Sequence, residues 1–395
     1  MKVDVAIIGA GLTGMSLAVA LAGAGRRVTV VDARGVPTGM PPGAHFDARI
    51  YAVSPASARW LELAHVWQAL DASRITPVYD MQVYGDAARD LAGGLALSAY
   101  RAGVGELCTI IEESEMARVL GAAAGFASGI RMLRPVVPTG LRLDDRAACL
   151  TLADGNTLEA SLVVAADGAH SWAREAAGIP VDQTDYHQSA VVANFESALP
   201  HRNRALQWFR QEEGGSGVLA WLPLPGNRIS IVWSAPTEYA AALMALAPAE
   251  FAARVEAAGM HALGPLTLID ERASFPLSNR RAGSFIAPRL ALVGDAAHVL
   301  HPLAGQGLNL GFGDCAELYR VLAGAGDCGE YTRLRAYERA RKTALAELHA
   351  LTHGLASLFA ASHPALKGLR NFGLNLAGRL PVIPQWLVRA AADHG

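Results

Sequence analysis

The sequence predicts an α/β fold: a nucleotide-binding domain on a parallel sheet, an inserted α+β domain on an antiparallel sheet, and a helical C-terminal segment. Three observations predict it. Val3–Ile8 is a short apolar run, followed at once by Gly9-Ala10-Gly11-Leu12-Thr13-Gly14, a helical stretch over Met15–Ala24, and a second run, Arg27–Val31, ending at Asp32. Gln188–Glu196, Ala205–Gln211, Gly217–Leu222 and Arg228–Ser234 are short, alternating, aromatic-rich runs separated by Gly, Pro and Asn turns, the pattern of an antiparallel sheet. Leu290–Val293 is another strand-like run that stops at Gly294-Asp295. A Pro- and Gly-rich loop, His301–Gly307, follows it, and Leu308–Leu322 is apolar at helical spacing.

The first observation, strand, G-x-G-x-x-G, helix, strand and acid, is the opening βαβ unit of a Rossmann-like domain that binds a dinucleotide. Gly9 makes the tight turn, Gly11 lets a pyrophosphate approach, and Gly14 lets helix and strand pack. Asp32 is placed to accept hydrogen bonds from a ribose. Arg34 belongs either near an adenine edge or on the surface as an ordinary charge.

Pro37–Gly43 is a loop, and Asp47–Ser54 leads into a helix over Pro55–Leu63. Val78–Tyr84 alternates as a strand, Arg89–Gly105 is irregular, and Thr109–Leu120 begins as strand and turns into helix. Cys149–Leu152 and Thr157–Leu158 flank Asp154-Gly155-Asn156, a hairpin turn. Leu162–Ala166 is a buried strand running into Asp167-Gly168-Ala169-His170-Ser171-Trp172-Ala173-Arg174. Asp167 is suited to cap the helix that starts near Ser171, but capping does not account for the whole spacing. Trp208, Trp221, Trp233 and Phe275 read as sheet core ahead of a ring-binding wall. Pro248–Gly259 is a helix, Leu266–Phe275 returns the chain toward Leu290, and beyond Asp314 the chain reads as helical to about Leu358.

The loop between Asp295 and Leu308 is where chemistry is expected. Backbone N–H groups at a helix start are unpaired and carry partial positive charge, so an anionic or electron-rich ligand can sit there. Gly305 and Gly307, lacking a Cβ, let the backbone come close to it.

Bulk properties narrow the rest. The 395 residues suffice for two or three domains. A net charge of −2 points away from nucleic acid, and 52% hydrophobic against 18% charged residues leans apolar. The four cysteines form no C-x-x-C pair and read as reduced thiols of a cytoplasmic protein. The apolar N-terminus is cut by Asp4 and by glycines, so it reads neither as a signal peptide nor as a membrane span. His298 and His301 are three apart, but the surrounding loop lacks a ligand set, so no metal site is expected.

His301-Pro302-Leu303-Ala304-Gly305-Gln306-Gly307-Leu308-Asn309-Leu310-Gly311-Phe312-Gly313-Asp314 resembles the signature of the FAD-dependent hydroxylases of ubiquinone biosynthesis, within the p-hydroxybenzoate-hydroxylase type of aromatic monooxygenase. The Gly9–Gly14 motif and the Asp167–Arg174 spacing fall in the order that family requires. The resemblance implies tightly bound FAD, with NAD(P)H as a transient electron donor. It implies ring hydroxylation of a polyprenyl phenol through a flavin C4a-hydroperoxide formed with O2. The alternative is the same chemistry on a small soluble aromatic compound.

By the same resemblance, Arg49 reaches the cofactor, although a surface ion pair would also account for it. Asp167 supports the flavin site, and Gly294 and Asp295 hold its ribityl or pyrophosphate portion. The backbone of Gly305, Gln306, Gly307, Leu308 and Asn309 stabilises negative charge on the flavin ring, and Pro302 lies over the ring where the peroxide forms. No side-chain base is assigned. Relatives carry Asn or Gln where this chain has Glu113, which leaves that position unassigned.

The expected domains are 1–85, 106–180 and 276–345 for FAD, 86–105 and 181–275 for substrate, and 346–395 as a C-terminal helical segment. Lys367, Arg370, Arg379 and Arg389 lie among apolar residues and Trp386 in that segment. This suits a membrane surface, a lid or a protein partner, the partner being other quinone-biosynthesis proteins. The expected location is therefore cytoplasmic, peripheral at the inner face of the membrane.

Overall fold

A computed structural model describes residues 2–35, 46–86, 91, 94–299, 306–324 and 326–360, with side chains left undescribed at 306 and 347–360. The chain opens with β1 (Lys2–Ile8), α1 (Leu12–Gly23), β2 (Val28–Val31), β3 (Ile50–Val53) and α2 (Pro55–Leu63). Then come β4 (Ile75–Val78), β5 (Asp80–Tyr84), β6 (Leu95–Ser98), α3 (Ala99–Ala102), β7 (Cys108–Glu112), α4 (Glu113–Phe126) and β8 (Ile130–Leu133). A meander β9 (Pro138–Leu143), β10 (Ala148–Leu152) and β11 (Thr157–Ala165) precedes α5 (Trp172–Ala176).

The parallel sheet runs β19 (Leu290–Leu292), β11, β1, β2, β8, and β18 (Ile286–Ala287) pairs antiparallel with β19 at its edge. Val5–Ile7, Val28–Val31 and Leu162–Ala165 are wholly buried. Continuous apolar runs are what a parallel strand needs when both its faces are covered. The second arm of the predicted hairpin and the predicted strand 162–166 are one strand, β11. Its first half pairs with β10 and its second half with β19.

The antiparallel sheet is built on β12 (Val181–Ser197), β13 (Arg204–Glu212), β14 (Gly215–Leu224), β15 (Arg228–Pro236) and β17 (Ala273–Ala282). β5 and β6 extend it on one edge, β16 (Leu266–Leu268) pairs with β12, and β20 (His298–Val299) extends the other edge. The sheet thus reaches beyond the segments 86–105 and 181–275 expected of it. β20 matters most for the site, because it ties the chain just past Asp295 to this sheet through Arg280↔Val299 and Arg281↔His298.

Helices α6 (Thr237–Ala245) and α7 (Pro248–Ala258) cover one face of this sheet. Trp208, Trp221 and Trp233 pack there with Phe251 and Val255, so these rings are core. Phe275 pairs with Ala190, one residue out of phase with Val191, and so faces the opposite side.

Other differences from the expectation are local. The run 78–84 breaks at Tyr79, because β4 pairs with β7 whereas β5 pairs with β13. The stretch 89–105 contains β6 and α3. The helix predicted to run on to Leu358 is two helices, α8 (Gln306–Leu322) and α9 (Tyr331–Ala360). Between them Arg26 donates to Leu322 O and Gly324 O, and Asp327 accepts from Arg289 at 2.6 Å. These long-range partners replace the helical hydrogen bonds, so the break is tertiary in origin. No helix among the described residues is long and apolar enough to cross a membrane.

Candidate cofactor site

Three segments far apart in sequence meet at the first turn of α1. Gly9 has φ +103°, and a Cβ there would strike the Ala166 carbonyl and come within 2.9 Å of Asp167 Cα. A Cβ on Gly14 would strike Gly9 O. From the far side, Cβ atoms on Gly294 and Gly311 would lie 3.2 and 3.0 Å from Thr13. At Gly9 and Gly14 only glycine permits the approach, and at Gly294 and Gly311 a Cβ would press on the Thr13 side chain. Gly11 is different: a Cβ there would meet nothing within 4 Å. The turn is tight against the protein and open at Gly11, which is the cradle a pyrophosphate requires.

Asp32 ends β2 beside this turn. Its Oδ2 accepts from Ala10 N at 2.7 Å and its Oδ1 from Arg34 N at 2.7 Å, while the Arg34 side chain adds contacts at 3.3 Å. Burial pushes this carboxyl up, but the bonds from Arg34 and Ala10 outweigh it and hold it below the usual range. The carboxylate is ionised and fixed, with acceptor capacity left for hydroxyls. Arg34 is therefore the ion-pair partner of Asp32. Arg134, at the end of β8, donates to Ala10 O at 3.1 Å and has a buried Nε with no partner. Sequence reasoning missed it, because only the β2–β8 pairing brings it here.

Asp167 does cap α5: its Oδ2 accepts from Ala173 N at 3.0 Å, while Ser171 Oγ accepts from Arg174 N at 3.0 Å. Its other oxygen is buried without a partner. Burial raises the Asp167 carboxyl, countered in part by Ser171 and the Ala173 amide. Arg174 is buried and donates to Ala296 O at 2.9 Å and Ala169 O at 3.0 Å, tying this loop to the Gly294 turn. Arg280 contacts Ala169 O and His170 Nδ1, both at 3.1 Å.

Gly294–Ala296 forms a single 3₁₀ turn after β19. Asp295 on it is open to water on one side yet crowded by protein elsewhere, as a cleft-wall residue is. The crowding raises its carboxyl, offset partly by His298 and Arg49. Arg49 pairs with Glu113 at 3.3 Å and stacks over Phe275 at 5.3 Å. The structure thus brings Arg49, Glu113, Asp295 and Phe275 into one corner. On the same sheet face as Phe275, the register sets small side chains side by side: Ala190 beside Ser234 and Val218, and Val192 beside Val232 and Ala220.

α8 begins at Gln306, so the amides of Gln306, Gly307, Leu308 and Asn309 form its first turn. The Asn309 side chain is already engaged, donating to Ala52 O and accepting from Ser54 N, both at 2.9 Å. It anchors the Arg49–Ser54 segment. Pro302 and Gly305 lie outside the described residues.

Among the described residues the donors and contours suit FAD: an open glycine cradle, a fixed acid at a ribose position, an unpartnered Asp167 oxygen and an accessible Asp295. The FAD binding domain family model matches residues 2–351. The chain is 33% identical over 395 residues to the ubiquinone hydroxylase UbiL of Rhodospirillum rubrum, covering 98% of this chain and 89% of the relative. It is 31% identical over 396 residues to the 3-demethoxyubiquinol 3-hydroxylase of Escherichia coli, covering 98% of both. Its fold matches p-nitrophenol 4-monooxygenase PnpA of Pseudomonas putida with a TM-score of 0.77 at 17% identity, covering 100% and 98% of the two chains. The chain belongs to the FAD-binding monooxygenases, in the branch of the ubiquinone-biosynthesis hydroxylases.

Proposed function

We propose that this enzyme hydroxylates the aromatic ring of a polyprenyl phenol on the way to ubiquinone. The observation that carries this reading is full-length kinship to two hydroxylases of that pathway. The apolar face of small residues between β12 and β14, ending at Phe275 and Arg49, supports it, since a flat ring needs such a wall.

FAD, when bound, supplies the activation of O2 with electrons from NAD(P)H and the delivery of one oxygen atom to the ring. The chain's own residues bind and shield it. Gly11 admits the pyrophosphate, Asp32 and Asp295 accept from its hydroxyls, and the first turn of α8 places amide dipoles where negative charge gathers. Arg280, which donates to Ala169 O and His170 Nδ1 beside Asp167-Gly168, presents a guanidinium of the kind the phosphates of NAD(P)H need. Arg280→Leu is expected to raise KM for NAD(P)H about tenfold with FAD content unchanged, a loss of one charge-assisted contact. Steady-state kinetics with an absorbance check of bound flavin reads both, and an unchanged KM would remove Arg280 from this role.

The basic, apolar segment Lys367–Gly395 lies outside the described residues, and its sequence supports contact with a membrane or partner. Deleting it is expected to reduce flotation with anionic liposomes while FAD stays bound. Equal flotation of both proteins would exclude lipid as its partner.

The function itself is tested by the quinone profile of cells lacking the gene, read by liquid chromatography and mass spectrometry. A prenylated phenol short of one ring hydroxyl is the expected accumulation. A normal profile, with tightly coupled turnover of soluble phenols by the purified enzyme, would replace the lipid substrate with a soluble one.

A further inference from the structure

The stretch after Asp295 ends in Gly311, Gly313 and Asp314, which the cofactor reading leaves without a role. Asp314 is fully buried in α8. Its Oδ2 accepts from Gly294 N at 2.8 Å and from His298 Nε2 at 2.7 Å, and its Oδ1 accepts from Arg341 Nε at 2.6 Å. An ionised carboxylate only accepts, so His298 Nε2 carries the proton in this pair. Arg341, from α9, also donates to Leu310 O at 3.1 Å. A Cβ on Gly313 would come within 2.9 Å of the Arg341 guanidinium, and one on Gly311 within 3.3 Å of Gly294 Cα. The glycines therefore let the guanidinium and the Gly294 turn close onto α8, and Asp314 gathers their donors.

One carboxylate thus joins the turn bearing Asp295, the β20 residue that follows it, α8 and α9. Burial opposes the Asp314 charge, but His298 and Arg341 outweigh it and hold the group ionised. A buried, hydrogen-bonded charge of this kind fixes geometry, because moving any partner strands a charge away from water.

We infer that Asp314 is a positioning residue, which with His298 and Arg341 fixes the Gly294–Ala296 turn so that Asp295 is preset to receive FAD. The inference rests on the reading of Asp295 as a flavin contact.

The test is a double-substitution cycle on FAD affinity, measured by titrating deflavinated protein and following fluorescence quenching. Asp295→Asn and Asp314→Asn are each expected to weaken FAD about tenfold, and the double variant by no more than about threefold beyond either single one. If Asp295→Asn leaves affinity unchanged, the reading of Asp295 fails. If Asp295→Asn weakens FAD but Asp314→Asn does not, or the two effects multiply, Asp314 does not act through the turn and the inference is overturned. Phe251→Leu, in the core on the tryptophan side, serves as the stability control. It is expected to lower the melting temperature without changing FAD affinity, and equal weakening by this variant would reduce the Asp314 effect to general instability.

Should Asp314→Asn not fold, His298→Gln and His298→Leu carry the test. Glutamine keeps an N–H donor and is expected to retain affinity within about threefold, while leucine loses about tenfold. Equal affinities for the two would overturn the inference.

Discussion

Gly11→Val is expected to fold as the parent does and to lose FAD. The position is open on its outer side, where an added Cβ meets no atom within 4 Å. The isopropyl group occupies the space through which the pyrophosphate reaches the backbone. Forcing a ligand against such a group costs about 1–3 kcal/mol, the range for overpacking, which weakens binding about 10- to 100-fold. The measurement is flavin absorbance of the purified protein, with the melting temperature of the deflavinated form as reference. Full flavin content in this variant would show that the pyrophosphate does not cross Gly11.

Gly9→Ala is expected to do the opposite and damage the fold whether or not FAD is present. Its φ of +103° is strained for any residue with a Cβ, and that Cβ would strike the Ala166 carbonyl at the end of β11. Backbone strain of about 1–3 kcal/mol adds to overpacking of similar size. The sum is about 2–6 kcal/mol, or about 10 °C in melting temperature for a domain of this size. Thermal unfolding of the deflavinated protein checks it. A melting temperature equal to the parent's would mean that the turn can shift away from β11. Two glycines of one motif thus serve different ends, and the pair of variants separates cradle from scaffold.

The parts legible from sequence were those set by local chemistry. The βαβ opening is local, because a run of Val and Ile, a glycine turn and an apolar helix each declare themselves within a few residues. The helix over Pro55–Leu63 is marked the same way, by Ser54 accepting from Ser57 N with Pro55 at the first helical position. The alternating aromatic runs located the antiparallel sheet, and their two-residue period put the three tryptophans in its core.

Tertiary structure decided what depends on a partner far along the chain. Strand β20 is two residues long and exists only because β17 lies beside it. The break between α8 and α9 depends on Arg26 and Arg289, which approach from β-strand termini elsewhere in the parallel sheet. Arg134 reaches Ala10 in the glycine turn because β8 docks on β2.

The same division holds within the site. Sequence by itself determined that a dinucleotide-binding turn, an acid at the end of β2 and a strand-loop-helix carrying Asp314 are present. It also determined their order, since those signals are runs of residue types. Only the folded chain determined that the Gly294 turn and Gly311 of α8 close onto Thr13, that Asn309 holds the Arg49 segment, and that Asp314 is shared by Gly294, His298 and Arg341. A carboxylate in a sequence carries no sign of whether it will face water, a cation or a backbone amide. That is fixed when packing removes the water and leaves the neighbours as its only partners.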